Sequence, residues 1–289
     1  MINIIIQMIK IMLRITGLNI IVWMALLSCQ QATGQSVKLP SPPSDTLVKL
    51  TNKNSAVSVY VKFPKQQSVT GCIVVLPGWN LSVLDWCSKT SLCRKAFEQG
   101  YILIMPEMGK SIYSYELFPE TRKDWLVYAS RKWFIDTLIT YFQNHYKLLL
   151  PGQNNYLLGL STGARGVALV SLDCPKIFKR SAGLSGDYDQ TQLPSDNLMK
   201  GYYGTITDYP SRWTGKDNVV YRFKELTIPI YLGHGKADQV VPCSQTIQFA
   251  DSLKKYKPGL VTLHLDENAG HTYPYWDSEV ENVLKFFKD

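Results

Sequence analysis

An α/β fold with a mostly parallel central sheet and helices on both faces is predicted by three observations. Short continuous apolar runs recur along the chain, stretches of helical periodicity separate them, and the composition supplies a large core. Hydrophobic residues make up 45% of the 289-residue chain and charged residues 19%, which excludes a disordered class. The length suits one large domain.

The elements follow in order. Val57–Phe63 alternates apolar and polar residues and reads as a half-buried strand. Cys72–Leu76 is continuously apolar, the mark of a strand covered on both faces. Tyr101–Met105, Tyr156–Leu160, Ala182–Leu184, Ile228–Leu232 and Val261–Leu265 repeat that signal. Helical periodicity predicts helices over Ser82–Gln99, Lys123–Tyr146, Thr162–Leu172, Ser244–Lys255 and Asp277–Phe287. In such a sheet, function gathers at the carboxyl ends of the strands. Residues 187–226 break the rhythm and carry Tyr188, Tyr202, Tyr203, Tyr209 and Trp213. This excursion either covers the active-site face or is a surface loop pinned down by its aromatics.

The amino terminus has a different character. Lys10 and Arg14 precede an apolar run from Ile15 to Leu27, too short for a comfortable membrane span. It ends in Leu26-Leu27-Ser28-Cys29 and polar Gln30-Gln31, the arrangement of a bacterial lipoprotein signal, with Met12 an alternative start. Residues 1–28 are therefore expected to be a signal peptide, Cys29 a lipidated new terminus, residues 29–45 a flexible tether rich in Gln, Ser and Pro, and 46–289 the folded domain. The protein would be exported and lipid-anchored to a bacterial membrane, periplasmic or at the cell surface. The alternative is an ordinary signal peptide or anchor helix with an incidental cysteine.

Of the formal charge of +8, Lys10 and Arg14 supply two units, and the remainder is of a size that serves solubility. No Cys/His zinc spacing, phosphate-cradling Gly-rich loop or RNA-binding signature is found, so neither nucleic acid nor a metal is an expected partner. With Cys29 consumed, Cys72, Cys87, Cys93, Cys174 and Cys243 remain. A straight helix over Ser82–Gln99 would set Cys87 and Cys93 roughly 9 Å apart along its axis, too far for a disulfide, whereas a bend would let them pair. Cys72, inside an apolar strand, reads as a core hydrophobe.

The chemistry centres on Gly159-Leu160-Ser161-Thr162-Gly163, which follows one apolar run and opens a helical stretch. A serine lifted on a tight strand-to-helix turn needs small flanking residues, and the helix N-terminus beneath it favours developing negative charge. Gly183-Leu184-Ser185-Gly186-Asp187 lacks the second glycine at the required offset. An alcohol needs an imidazole to activate it and a carboxylate to orient the imidazole. The histidines are His145, His234, His264 and His271. His145 is near a helix end, and His264 lies within an alternating strand. His234 lines the site or supports a turn. His271, between the last strand and the last helix, is the expected base. Asp238, in Gly233-His234-Gly235-Lys236-Ala237-Asp238, is the expected acid, with Asp187 in reserve. The backbone amides of Thr162 and Trp79, with Asn80 second to Trp79, are the expected oxyanion donors. Asn80, Tyr202, Tyr203, Trp213 and His234 are candidate substrate contacts.

The order Ser161, Asp238, His271 and these motifs make residues from about 70 to 289 resemble an α/β-hydrolase fold of the carboxylesterase type. His234-Gly235, Asp238 and Val241-Pro242 are similar to dienelactone-hydrolase and acyl-thioesterase relatives, while Lys200-Gly201-Tyr202-Tyr203-Gly204 and Trp213 resemble the esterase-D group. The resemblance implies a nucleophile, acid and base at Ser161, Asp238 and His271. Two departures are Pro77-Gly78, where a His-Gly is usual, and Gly163-Ala164-Arg165-Gly166 after the nucleophile. The expected activity is cofactor-free hydrolysis of a small-molecule or carbohydrate ester, with an acylated sugar or phenolic ester as candidates. The alternatives are a peptidase of the same fold, a binding lipoprotein without catalysis, and a thioesterase acting on acyl carriers.

Overall fold

The computed structural model describes residues 44–289 except 53–54, 66–67 and 126–127. The predicted signal peptide, the lipidation at Cys29 and the tether up to residue 43 lie outside the described residues. Among the described residues no helix is long and apolar enough to cross a membrane.

One eight-stranded sheet organises the chain, in the order β1-β2-β4-β3-β5-β6-β7-β8. The strands are β1 (Thr46–Asn52), β2 (Ser55–Lys62), β3 (Gly71–Leu76), β4 (Tyr101–Pro106), β5 (Asn155–Leu160), β6 (Arg180–Leu184), β7 (Ile230–Gly235) and β8 (Val261–Asp266). β2 runs antiparallel to both of its neighbours, and the pairings from β4 to β8 are all parallel. The predicted α/β class with a mostly parallel sheet is the observed one.

The continuous apolar runs are explained by the layers. Alternate residues of the central strands enter two separate cores: Cys72, Val74 and Leu76 on one face, and Ile73 and Val75 on the other. The first core is closed by the helices α5 (Thr162–Asp173) and α8 (Ser244–Tyr256), through residues such as Val167, Leu169, Phe249 and Leu253. The second is closed by α1 (Asp85–Ser88), α2 (Leu92–Glu98) and α9 (Tyr273–Phe286), through Trp86, Ala96, Val280 and Val283. Full burial of each such side chain stabilises by about 1.5–3 kcal/mol before entropy is counted. Cys72 is buried and free, and burial pushes its thiol well above the ordinary range.

Three predicted helices differ from the observed ones. The helix over Ser82–Gln99 is broken into α1 and α2 by a turn, which brings the Cys87 and Cys93 Cα atoms to 5.1 Å in a disulfide. The turn is fixed from outside, because the Ser91 amide and hydroxyl both donate to Asp277 Oδ1 at 2.6 Å. The helix over Lys123–Tyr146 starts only at α3 (Ser130–Trp133) and continues through a π-helical segment, Phe134–Ile139, into α4 (Thr140–Tyr146). The last helix begins at Tyr273 rather than Asp277, since Pro274 fits the first turn, where no N–H is needed.

Residues 187–226 are short helices rather than an irregular loop. They comprise two 3-10 turns, Gln190–Gln192 and Val220–Glu225, with α6 (Asn197–Tyr203) and α7 (Pro210–Thr214) between them. Asp196 caps α6 by accepting from the Met199 amide at 2.9 Å, and Pro210 opens α7. Tyr202, Tyr203 and Trp213 are buried with Ile112 and Met199 in a separate small core, against which Trp79 and Trp125 pack. The aromatics therefore pin the excursion down.

Candidate active site

β5 delivers Ser161 on a strained turn. Its φ of 55° and ψ of −129° lie outside the regions favoured by residues with a Cβ, at a cost on the order of 1–3 kcal/mol. Close packing dictates the flanking glycines. A Cβ on Gly159 would lie 2.4 Å from Gly163 O, and one on Gly163 would lie 2.5 Å from Leu76 O. The Ser161 amide is anchored to Leu184 O at 2.8 Å, and its carbonyl accepts from the Ala164 amide at 2.9 Å. The hydroxyl is thereby raised at the carboxyl edge of the sheet with α5 starting immediately after it.

The loops after β7 and β8 meet this hydroxyl. Ser161 Oγ lies 3.0 Å from His271 Nε2, and His271 Nδ1 lies 2.7 Å from Asp238 Oδ2. The carboxylate can only accept, so His271 carries its proton on Nδ1 and turns the Nε2 lone pair to the serine. Asp238 Oδ1 accepts from the Val240 and Val241 amides, both at 2.8 Å. Burial pushes the Asp238 carboxyl up, but hydrogen bonds from His234, His271 and the Val241 amide outweigh it and hold the group well below the usual carboxylate range.

The loop bearing His271 is tied to the loop bearing Asp238. The Lys236 amide donates to Asp266 O at 2.7 Å and the Ala237 amide to Ala269 O at 3.0 Å. A Cβ on Gly235 would be 2.1 Å from Ala269 O, so only glycine allows this approach. Beneath the imidazole, Trp276 sits edge-on with ring centroids 5.1 Å apart, its indole N–H donating to Ser185 Oγ at 3.1 Å.

The Pro77–Asn80 loop runs beside Ser161, since a Cβ on Gly78 would lie 3.1 Å from Ser161 Cβ. The Tyr113 hydroxyl donates to Pro77 O at 2.9 Å and the Trp79 indole N–H to the Tyr202 hydroxyl at 3.2 Å, which fixes the loop from two sides. Thr162 is the first residue of α5, so its amide has no intrahelical acceptor. The Asn80 amide is occupied by Gly109 O at 2.8 Å, which removes it as an oxyanion donor and leaves only its exposed side chain facing solvent.

Four expected substrate contacts are corrected by burial. Tyr202, Tyr203 and Trp213 are all within 2% of full burial, too deep to touch a ligand at the serine. His234 is also fully buried, because β7 runs two residues past Gly233 and carries it into the interior behind Asp238. Asp187, the reserve acid, lies instead 3.3 Å from Arg165 Nη1. Ser185 is buried and serves as the acceptor for Trp276. His264 pairs with Glu279 at 2.7 Å, and His145 is exposed and stacked on Tyr141.

Arg165 is the residue that sequence reasoning registered only as a departure. Buried in α5 one turn past Ser161, it donates to Gln190 Oε1 at 2.9 Å, the Tyr203 hydroxyl at 3.2 Å and Asp217 O, besides Asp187. It ties α5 to the excursion. A lone cation in a Gly/Ala-rich helical segment was its signal. Among the described residues no group of His, Cys, Asp and Glu is placed to hold a metal ion.

Comparison with known proteins agrees with this architecture. No curated protein matches the chain in sequence. Among solved structures, the chain is similar to the substrate-bound fluorophosphonate-binding serine hydrolase F of Staphylococcus aureus. That match has 16% identity and a TM-score of 0.67, covering 86% of this chain and 100% of that one. It is also similar to a ferulic acid esterase, with 16% identity and a TM-score of 0.63 over 86% of this chain and 97% of that one. The acylaminoacyl peptidase of Pyrococcus horikoshii matches at 11% identity with a TM-score of 0.65, over 87% of this chain but 42% of that one. These likenesses show the α/β-hydrolase fold. The family model described as the prolyl oligopeptidase family matches residues 98–289, well over half of the chain. The protein is an α/β-hydrolase-fold serine hydrolase and belongs to the prolyl oligopeptidase family.

Proposed function

We propose that the protein hydrolyses a carboxylic ester through an acyl-enzyme on Ser161. The observation that carries this reading is the unbroken hydrogen-bond chain from Ser161 Oγ through His271 to Asp238 on a strained strand-to-helix turn. Ser161 Oγ attacks the ester carbonyl while its proton passes to His271 Nε2, and Asp238 stabilises the imidazolium. The Trp79 and Thr162 amides hold the oxyanion, each worth about 3 kcal/mol of transition-state stabilisation. Collapse of the tetrahedral species breaks the carbon–oxygen bond to the alcohol, which leaves with the proton from His271. His271 then takes a proton from water, whose oxygen attacks the acyl carbon; the bond from that carbon to Ser161 Oγ breaks, His271 returns the proton to Oγ, and the acid leaves.

An acylated sugar or phenolic ester outside the cytoplasm is the substrate class we favour. The ferulic acid esterase among similar structures supports an ester, and the Cys87–Cys93 disulfide supports an oxidising compartment. Export through the 1–28 signal with lipidation at Cys29 accords with both. A second reading, amide hydrolysis, is favoured by the family match and by the acylaminoacyl peptidase likeness. Hydrolysis rates on nitrophenyl esters from acetate upward, beside a series of aminoacyl-naphthylamides, separate the two. Ester turnover with little or no naphthylamide cleavage is the expected result, and the reverse pattern would replace the esterase reading with the peptidase one.

A further inference from the structure

We propose that His234 is a positioning residue for the acid of the catalytic chain, delivering a second N–H to Asp238 Oδ2 and locking the carboxylate toward His271. This rests on the reading of Asp238 as that acid. His234 Nε2 lies 3.2 Å from Asp238 Oδ2 and 3.0 Å from Val241 O. Both neighbours are acceptors, so Nε2 carries the proton and shares it between them. His234 Nδ1 must then accept, and the Thr246 hydroxyl supplies that bond at 2.6 Å. The tautomer is therefore set from the far side by a residue of α8, and His234 and Thr246 are both inaccessible to solvent.

The consequence falls on Asp238. Its Oδ1 already holds two backbone amides, and its Oδ2 holds the His271 N–H with His234 Nε2 as a second neighbour at 3.2 Å, so donors face both oxygens of the carboxylate. A carboxylate gripped at both oxygens cannot swing out of the plane that His271 needs. With His234 absent, Oδ2 would have one partner, and that partner is the ring that moves protons during the reaction. The same N–H that supports the turn at Val241 O thus also faces the carboxylate, 3.2 Å from Asp238 Oδ2. The line Thr246–His234–Asp238–His271–Ser161, buried over its first three residues, extends the catalytic chain two residues further into the protein than the three-residue reading.

The test compares His234→Gln with His234→Asn. The Gln side chain carries an amide N–H about as far as imidazole Nε2, while Asn falls one methylene short, and both keep a polar, buried-compatible group. Active sites are titrated with a fluorophosphonate, and kcat and KM on nitrophenyl acetate are measured per titrated site. His234→Asn is expected to lose about ten- to a hundredfold in kcat with KM within about twofold, the worth of one hydrogen bond to a charged group. His234→Gln should recover most of that loss. Equal kcat per titrated site in the two variants would overturn the positioning role while wild-type turnover leaves the esterase reading intact. A folded wild type that neither titrates nor hydrolyses would sink both.

Discussion

Replacing Asp238 by asparagine tests the hydrogen-bond logic of the site with almost no change of shape. The Asp238 Oδ1 position faces the Val240 and Val241 amides, and the Oδ2 position faces His271 Nδ1 and the Nε2 of His234. Backbone amides cannot exchange donor for acceptor, so the carboxamide oxygen of Asp238→Asn must turn to them. Its NH2 then confronts two imidazole nitrogens. His271 can relieve the clash only by moving its proton to Nε2, which leaves it unable to take the proton of Ser161. His234 has no such escape, since its Nε2 must also donate to Val241 O. The tautomer change alone corresponds to about 10⁴-fold in kcat, or about 5 kcal/mol of transition-state stabilisation. The crowded donors add about 1–3 kcal/mol of lost stability. Steady-state turnover of nitrophenyl acetate, beside a urea melt, reads both quantities. An Asp238→Asn protein that stays folded and keeps kcat within tenfold of wild type would refute the reasoning.

Other consequences are as specific. Reducing Cys87–Cys93, or replacing both by serine, should lower stability by about 2 kcal/mol for so short a loop, read as a drop in Tm with and without reductant; an unchanged Tm would deny the bond a stabilising role. Arg165→Met should cost about 3–5 kcal/mol in a denaturant melt, because it strands Asp187 in the interior without its cation, and a loss below 1 kcal/mol would show that the excursion is held by its aromatics alone. The depressed Asp238 carboxyl gives a pH signature. Its native value lies below its unfolded value of about 3.9, so it contributes stability above that pH and loses it as pH falls through the native value. The stability gap between wild type and Asp238→Asn should therefore shrink on acidification below about pH 4, and a gap that widens there would reverse the assignment.

What could be read from the sequence follows from how local each signal is. Ser161, Asp238 and His271 each stand in a short motif just beyond a strand, and the parallel sheet necessarily gathers those strand ends on one edge. The apolar runs foretold the strands because alternate residues enter two cores. The failures are non-local. His234 reads as lining the site or supporting a turn after Leu232, because nothing in Gly233-His234-Gly235 says that β7 continues through it and buries it. Tyr202, Tyr203 and Trp213 announced an aromatic cluster, but composition cannot tell a ligand platform from a small core. The break between α1 and α2 depends on Asp277, 186 residues away in sequence from Ser91. Arg165 likewise finds its partners between Asp187 and Asp217, so its role emerges only once the excursion is folded over α5.

The central claim is that Ser161 is a nucleophile activated by His271, and a fluorophosphonate labelling experiment read by intact mass and peptide mapping tests it most directly. Wild-type protein should gain one phosphonyl adduct, located on Ser161, and lose ester hydrolysis in step with labelling, while a folded Ser161→Ala variant should do neither. A folded wild type that takes up no adduct, or an adduct on a residue other than Ser161, would contradict the account.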